Sequence, residues 1–301
     1  MKILLVSNHA TERCGVAAYG RHLFNAVQDT GIHVAPWHST PETPLPDEAA
    51  EFELIHVNWH AATVGHLKVG DFPAESKLSV FIHEPASVCN LVEKADLVIS
   101  TEPIANLGQG FQRFGLFPNP CLDYTPRSEW DGLEVTLGFS GIRRDGLDRI
   151  EGAIERQKLE LVDQDGPPGL DEVNPHAWRL CASAKDPDGW LSDEAELERL
   201  AACAMSVFHY HSGNSGQSYA VMTGVAARRP LLVNRNRMLE HIWGEPGIEE
   251  EVYVVDDVAE GIHQVVKDLR EGREKRPFEL AKRRSWSVAI EKLVGWWGEL
   301  Y

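Results

Sequence analysis

A small polar loop between an apolar run and a helical segment is the stretch of this sequence best suited to hold a ligand. Residues 205–210 have the length and apolar content of a buried strand, and residues 219–227 are rich in Ala, Val and Met. Residues 211–218 between them read HSGNSGQS. A loop at a helix amino terminus leaves backbone N–H groups free, and the helix dipole adds positive charge, so an anion such as phosphate is favoured there. The alternative is an ordinary turn, because Gly and Ser are common turn residues.

A second group of candidates ends the strand predicted at 53–58. Asn58, Trp59 and His60 stand at its carboxyl end. In doubly wound folds ligands gather at the carboxyl ends of strands, so these side chains are placed to line a cleft. The face of Trp59 would suit stacking on a sugar or a base. Two alternatives stay open: Trp59 is a core residue, and His60 caps a helix.

A third candidate group ends the next predicted strand, at 79–83, where the sequence reads His83-Glu84-Pro85. Histidine can hydrogen-bond a ligand hydroxyl or move a proton near neutral pH. A single histidine is more often structural, but its position at a strand end favours a role in a site. We therefore predict His83 and Glu84 as catalytic residues.

The elements that must position these residues alternate between strands and helices. A strand at 2–6 is followed by a loop that contains Gly15 and by a helix at 16–27, and a glycine there lets a ligand approach the backbone closely. Further strands are predicted at 32–37, 96–100, 134–139, 158–162, 231–233 and 252–255, and further helices at 147–156, 193–203, 259–270 and 279–301. This alternation predicts parallel α/β sheets.

Four segments together resemble GT-B glycosyltransferases, especially glycosyltransferase family 4. They are MKILLVS with CGVAAYGRHL at the amino terminus, the strand-end histidine segment at 80–100, SGIRRDGLDRI at 140–150, and the region 190–233 that ends in AARRPLLV. The resemblance implies two Rossmann-like domains whose parallel sheets face a central cleft. It places the domains at 1–125 on the acceptor side and 126–278 on the nucleotide-sugar side, with a helix at 279–301 that crosses back to the first. The aromatic residues of that last segment are interpreted as packing residues.

The resemblance also implies roles for individual residues. A basic residue that neutralises the diphosphate of the sugar donor falls on Arg144, or on Arg143 with a one-residue shift. The sequence departs from the family pattern where Ser215 and Thr223 replace two glutamates and Arg228 replaces a glycine. The predicted binding residues for the sugar donor are Gly15, Val16, Arg143, Arg144, His211, Ser215, Gly216, Gln217, Ser218 and Thr223; those on the acceptor side are Asn58, Trp59 and His60.

The implied function is hexosyl transfer from a nucleotide diphosphate sugar to a hydroxyl, with retention of configuration and without a metal or other cofactor. One alternative is a glycosyltransferase that acts on a hydroxymethylated nucleic-acid base. Another is an inactive sugar-nucleotide-binding protein, because both family glutamates are missing.

Composition limits the partners and the compartment. The chain has 301 residues and a net charge of −17, which disfavours nucleic acid as a partner. No run in the sequence is long enough to span a membrane, and we expect no secretory leader, because Met1 is followed directly by Lys2 and the strand-like Ile3–Val6. Five cysteines without a C-x-x-C pair suit reduced thiols, and we expect a cytoplasmic protein. The pairs His56/His60 and His209/His211 lack a third ligand at a familiar spacing, so no metal is predicted.

Overall fold

The computed structural model describes residues 1–10, 15–84, 89–104, 113–130, 136–139, 152, 179–182, 192–210 and 217–301. The chain divides into two compact units. The first comprises Met1–Pro120, Ser215–Gln217 and Arg284–Tyr301, and the second comprises Cys121–Asn214 and Ser218–Arg283. Among the described residues no helix combines the length and the apolar character needed to cross a membrane.

A parallel sheet of six strands forms the centre of the first unit. Its strands lie in the order β2-β1-β3-β4-β5-β6. Every residue of β3 and β5 is buried, as expected of parallel strands covered on both faces. The strands are β1 (Lys2–Ser7), β2 (His33–His38), β3 (Leu54–Trp59), β4 (Lys77–Ile82), β5 (Leu97–Ser100) and β6 (Arg113–Leu116).

Helices from both ends of the chain pack in the first unit. They are α1 (Gly15–Asp29), α2 (Ala61–Val64) and the last helix, α8 (Trp286–Gly298), with 3-10 turns at Asp47–Glu51 and Val69–Asp71. The Trp286 ring lies 5.0 Å from the Tyr19 ring of α1. Trp297 is completely buried, and its Nε1 donates to Ser79 Oγ at 3.2 Å. These two tryptophans have the packing role that the sequence predicted for them.

A parallel sheet of five strands forms the centre of the second unit, in the order β11-β10-β9-β7-β8. Its strands are β7 (Thr136–Phe139), β8 (Arg179–Ala182), β9 (Met205–Phe208), β10 (Leu231–Asn234) and β11 (Tyr253–Val255). Its helices are α3 (Asp193–Ala201), α4 (Ala220–Ala226), α5 (Glu240–Trp243), α6 (Val258–Glu271) and α7 (Phe278–Arg283), with 3-10 turns at Arg237–Leu239 and Ile248–Glu250.

The two sheets share one strand order. In each, the first strand along the chain lies between the second and the third, so the connections change direction between β1 and β3 and between β7 and β9. In open parallel sheets a ligand binds outside the carboxyl ends of the strands at such a switch point. Each unit therefore has one expected ligand edge.

The described elements agree with most of the predicted ones. Strands β6 and β8 were not predicted. The single helix expected at 279–301 is two helices, because Ser285 leaves helical geometry (φ −62°, ψ 151°) and its side chain caps α8 by accepting from Val288 N. The strand predicted at 158–162 lies outside the described residues, as does the helix predicted at 147–156 except for Gly152.

Candidate functional site

Asn58 and His83 form a hydrogen-bonded pair at the ligand edge of the first sheet. Asn58 is completely buried near the end of β3, and its Nδ2 donates to the carbonyl oxygen of Val16 at 2.9 Å. Because that bond fixes the amide, Oδ1 is the acceptor that faces His83 Nε2 at 2.5 Å. The backbone N–H of His83 also donates to the backbone carbonyl of Trp59 at 3.2 Å, and this bond continues the β3–β4 pairing. The structure thus brings the side chains of Asn58 and His83 together with the main chain of Val16, and all three were predicted to lie in the site.

The His83 ring is neutral, with a defined tautomer. The Asn58 oxygen requires the proton on Nε2, so Nδ1 keeps the lone pair. Tyr19 and Phe81 crowd the ring, with centroid distances of 4.8 and 4.7 Å. Burial, followed by the positive charge of His60 and of His56, lowers the pKa of His83 to about 3. Of the two roles that the sequence left open, this environment favours hydrogen bonding to a ligand over proton transfer.

His60 caps α2 and contacts Glu84. Its Nδ1 accepts from Ala62 N at 3.2 Å, and its Nε2 lies 3.1 Å from Glu84 Oε1. Because Nδ1 is an acceptor, Nε2 carries the proton that faces the carboxylate. The helix-cap interpretation of His60 is therefore the one that the structure shows, and the same ring holds Glu84 beside the strand end.

Trp59 is a core residue, which corrects its placement on the acceptor side. Successive side chains of a strand point to opposite faces, so Asn58 faces α1 and Trp59 faces the other side. Trp59 is 2% exposed and packs in the hydrophobic cluster that contains Val64 and Leu67. Its indole therefore presents no face for stacking on a sugar.

Gly15 and Val16 form the start of α1. Gly15 is exposed, and a Cβ built on it meets no atom within 4 Å, so packing does not demand glycine here. Its φ is outside the left-handed region, so the backbone conformation does not demand glycine either. Close approach of a ligand to its backbone stays a prediction.

Hydrogen bonds hold the two sides of the polar loop in the second sheet. Asn234 pairs with the main chain of Tyr210, accepting from its N at 3.1 Å and donating to its O at 2.9 Å. Tyr210 Oη lies 2.7 Å from Ser218 Oγ, and both residues are buried. We call this bond the Tyr210–Ser218 clasp. It joins the residue before the loop to the last residue of the segment that the sequence singled out.

Gln217 and Thr223 differ in how their side chains are used. Gln217 Nε2 donates to the Thr101 carbonyl at 2.6 Å, and its Oε1 accepts from Asn119 N at 3.3 Å, all within the first unit. Both ends of this amide are therefore engaged with main-chain groups.

Thr223 lies on α4 and is partly exposed. Arg143, Arg144, His211, Ser215 and Gly216 lie outside the described residues, so their predicted roles stay predictions.

Arg228 has a backbone conformation that favours glycine. Its φ is +55°, directly after the end of α4. The resemblance to family 4 aligns this position with a glycine, and glycine adopts the left-handed region without a steric cost. The alignment of this segment thus agrees with the backbone.

Sequence reasoning missed a polar cluster at the carboxyl ends of β1 and β2. Ser7 Oγ lies 3.1 Å from His9 Nδ1, and Ala10 N donates to His38 Nδ1 at 3.3 Å. Arg21 of α1 donates to the His9 carbonyl at 2.9 Å. The strand-end rule that selected His83 would also have selected His9 and His38, because both follow or end strands at the same edge.

Comparisons with solved structures identify the fold. Sucrose-phosphate synthase from Thermosynechococcus elongatus superposes with a TM-score of 0.67 at 16% identity, over 100% of this chain and 99% of that one. HepE from Anabaena in complex with UDP gives 0.66 at 12% identity, over 99% and 100%. An alpha-glucosyltransferase in complex with UDP and DNA containing a modified base gives 0.63 at 11% identity, over 98% of each chain.

No protein-family model and no curated protein sequence matches the chain. The structural likeness nevertheless extends over whole chains, and the neighbours are GT-B proteins. The chain has the GT-B fold, as predicted.

Proposed function

We propose that this protein is a glycosyltransferase that moves a sugar from a nucleotide diphosphate sugar to an acceptor hydroxyl. The observation that carries the proposal is the neutral His83, which follows β4 and is held by Asn58 of β3, the strand that borders the switch point of the first sheet. Full-length similarity to glycosyltransferase structures supports it. UDP is the first nucleotide to test, because two of those neighbours were solved with UDP.

The proposed binding site for the sugar donor combines charge with backbone N–H groups. Arg143 and Arg144 would pair with the diphosphate, and the N–H groups of the loop at 211–217 would complete its hydrogen bonds. The Tyr210–Ser218 clasp would hold that loop in place. Ser215 and Thr223 carry hydroxyls where family 4 has carboxylates, so we expect weaker hydrogen bonding to the sugar and to the ribose than in proteins with both carboxylates.

The proposed reaction is retaining and independent of metal. The bond from the anomeric carbon to the diphosphate oxygen breaks, and the acceptor oxygen bonds to that carbon on the same face. The acceptor proton passes to the leaving diphosphate. Fixed positive groups around the diphosphate would stabilise the charge that develops on it. His83 would accept a hydrogen bond from a sugar hydroxyl at Nδ1 and so orient the ring.

A panel of UDP-, ADP- and GDP-sugars tests the proposal without knowledge of the acceptor. An active transferase usually hydrolyses some of its sugar donor, so release of nucleoside diphosphate from one sugar nucleotide is the expected result. Binding detected by calorimetry with no release after prolonged incubation would favour the inactive binding protein. Binding of none of the panel would refute a nucleotide-sugar site.

A further inference from the structure

Three nitrogen-bearing side chains form a compact group at the carboxyl ends of β1 and β2. The rings of His9 and His38 lie 5.7 Å apart in an edge-to-face arrangement. The Arg21 guanidinium reaches the His9 carbonyl oxygen at 2.9 Å. We call these three residues the β1/β2 basic cluster. All three are partly exposed, so a ligand can reach them.

The tautomers leave two ring N–H groups available. His38 Nδ1 accepts from Ala10 N, so the neutral ring carries its proton on Nε2. Ser7 Oγ accepts from His9 N at 3.2 Å and faces His9 Nδ1 at 3.1 Å, and its own hydroxyl proton can satisfy that nitrogen. His9 then also carries its proton on Nε2. In the described part of the chain no hydrogen bond uses either Nε2 atom.

The surrounding sequence is unusually poor in acidic residues. The chain has 46 Asp and Glu among 301 residues, but positions 2–41 contain only Glu12 and Asp29. Asp29 is the last residue of α1, and Glu12 lies outside the described residues. Three basic residues, Lys2, Arg13 and Arg21, outnumber the two acidic ones, so this segment has a net charge of +1 in a protein of net charge −17. In agreement, burial and then the positive charge of His38 and Arg21 lower the pKa of His9.

We propose that the β1/β2 basic cluster binds a phosphate group on the acceptor, so that the acceptor is a small phosphate monoester such as a sugar phosphate. This inference rests on the proposed function, since it names the acceptor class of that reaction. A tetrahedral phosphate accepts several charge-assisted hydrogen bonds at once, which suits two imidazole N–H groups and a guanidinium. Nucleic acid carries phosphate too, but the strong negative charge of the protein opposes a long polyanion.

Isothermal titration of the full chain with hexose phosphates, without nucleotide, tests the proposal directly. His38→Asn keeps an acceptor close to the position of Nδ1, and so keeps the contact with Ala10, but removes the Nε2 donor. His9→Asn does the same at the second ring. His38→Gln instead places an amide N–H close to Nε2. His33→Asn is the matched control, because His33 is exposed at the opposite end of β2.

We expect each Asn variant at His9 or His38 to weaken binding of a hexose phosphate about tenfold. His38→Gln should bind more tightly than His38→Asn, and His33→Asn should bind like the parent. Equal binding by all variants, or no preference for a hexose phosphate over the free hexose, overturns the proposal. If duplex DNA binds more tightly than any hexose phosphate, and His38→Asn abolishes that binding, the proposal is also overturned, in favour of a nucleic-acid acceptor. Binding and hydrolysis of UDP-sugars are measured separately, so failure of the proposed function is distinguishable.

Discussion

Histidine at a strand end acquires its role from the groups that fix its proton. The Asn58 amide is oriented by Val16, and through it the His83 ring presents Nδ1 as an acceptor. A pKa of about 3 keeps the ring neutral at physiological pH. Such a ring orients a hydroxyl without exchanging protons with it, which suits transfer chemistry in which the leaving diphosphate takes the proton.

His83→Ala should therefore lose activity without unfolding. We expect the melting temperature to stay within a few degrees of the parent and the turnover number to fall about tenfold or more, because the variant lacks the proposed hydrogen bond to the reacting sugar. Steady-state kinetics and thermal melting of the same preparation measure both quantities. His33→Ala is the matched control and should behave like the parent. A fully active His83→Ala enzyme would remove His83 from the site.

Arg228 offers a test of backbone strain. A non-glycine residue in the left-handed region costs about 1–2 kcal/mol, while the contact from its Nη1 to Thr125 Oγ1 at 3.2 Å is a single surface hydrogen bond. Arg228→Gly should therefore raise the free energy of unfolding by ~0.5–1 kcal/mol. Urea denaturation measures it. Arg228→Ala keeps the strain and loses the contact, so it should be no more stable than the parent; equal stability of both variants would show that strain is absent.

At the scale of elements, the clasp and Asn234 hold the residues on either side of the segment for which a loop is predicted. Asn234 extends the pairing of β9 and β10 beyond the end of β9, and Tyr210 also bonds to Ser218. A loop with fixed ends loses less conformational freedom when a ligand orders it. Stability of these two ends should therefore influence affinity for the nucleotide.

Tyr210→Phe and Ser218→Ala should each weaken nucleoside diphosphate binding several-fold and lower the free energy of unfolding by ~1 kcal/mol. The double variant should lose less affinity and less stability than the sum of the two single variants, because both substitutions remove the same hydrogen bond. Calorimetry and urea denaturation of the parent, the two single variants and the double variant complete this double-mutant cycle. Tyr253→Phe is the control: Tyr253 begins β11 and its buried hydroxyl donates to Asp268 of α6, so the variant should lose stability and keep nucleotide affinity. Additive effects on nucleotide affinity would argue against the clasp.

Sequence patterns identified the elements whose burial is continuous. The apolar runs of β1, β3 and β9 are fully or almost fully buried, and such runs are recognisable without a structure. Strand β6 was not predicted because three of its four residues are exposed at the edge of the sheet. Its pattern therefore carries neither a buried run nor a clean alternation.

The arrangement of the candidate site was predictable where it depends on position along a strand. Asn58, His60 and His83 were found because they end strands. The engagement of Gln217 by Thr101 and Asn119 could not be read from the sequence, since these partners lie 116 and 98 residues away. The burial of Trp59 likewise depends on which elements cover its face of the sheet. The structure shows that Val64 of α2 and its neighbours do so, and the sequence alone does not reveal this contact.

On the scale of the whole molecule, buried histidines should make the fold sensitive to mild acid. Burial lowers the pKa values of His56 and His83 in the first unit to about 3. In the second unit, hydrogen bonds from Ser128 and then Tyr124 lower the pKa of Glu198 to about 2. Its contribution is therefore retained until the pH falls below the usual glutamate value. The two histidines and this carboxylate thus respond in different pH windows.

The sign of the effect follows from proton uptake on unfolding. Below pH 6.5 the unfolded chain protonates both histidines while the folded protein keeps them neutral, so the unfolded state binds more protons and stability falls as the pH falls. The expected loss is ~1.4 kcal/mol per pH unit for each histidine, and it begins above the range in which carboxylates titrate. Urea denaturation at pH 7.5, 6.5, 5.8 and 5.2 measures this slope.

His56→Asn isolates one of the two contributions. Ser79 Oγ lies 3.0 Å from His56 Nδ1, and an asparagine oxygen keeps an acceptor close to that position while removing the titrating ring. Whatever its stability at pH 7.5, the variant should lose stability with acid less steeply than the parent, by about one proton per molecule. His33→Asn removes an exposed histidine and should leave the slope unchanged. An unchanged slope in His56→Asn would mean that this buried ring takes up a proton in the folded state, and the acid sensitivity of the first unit would then need another source.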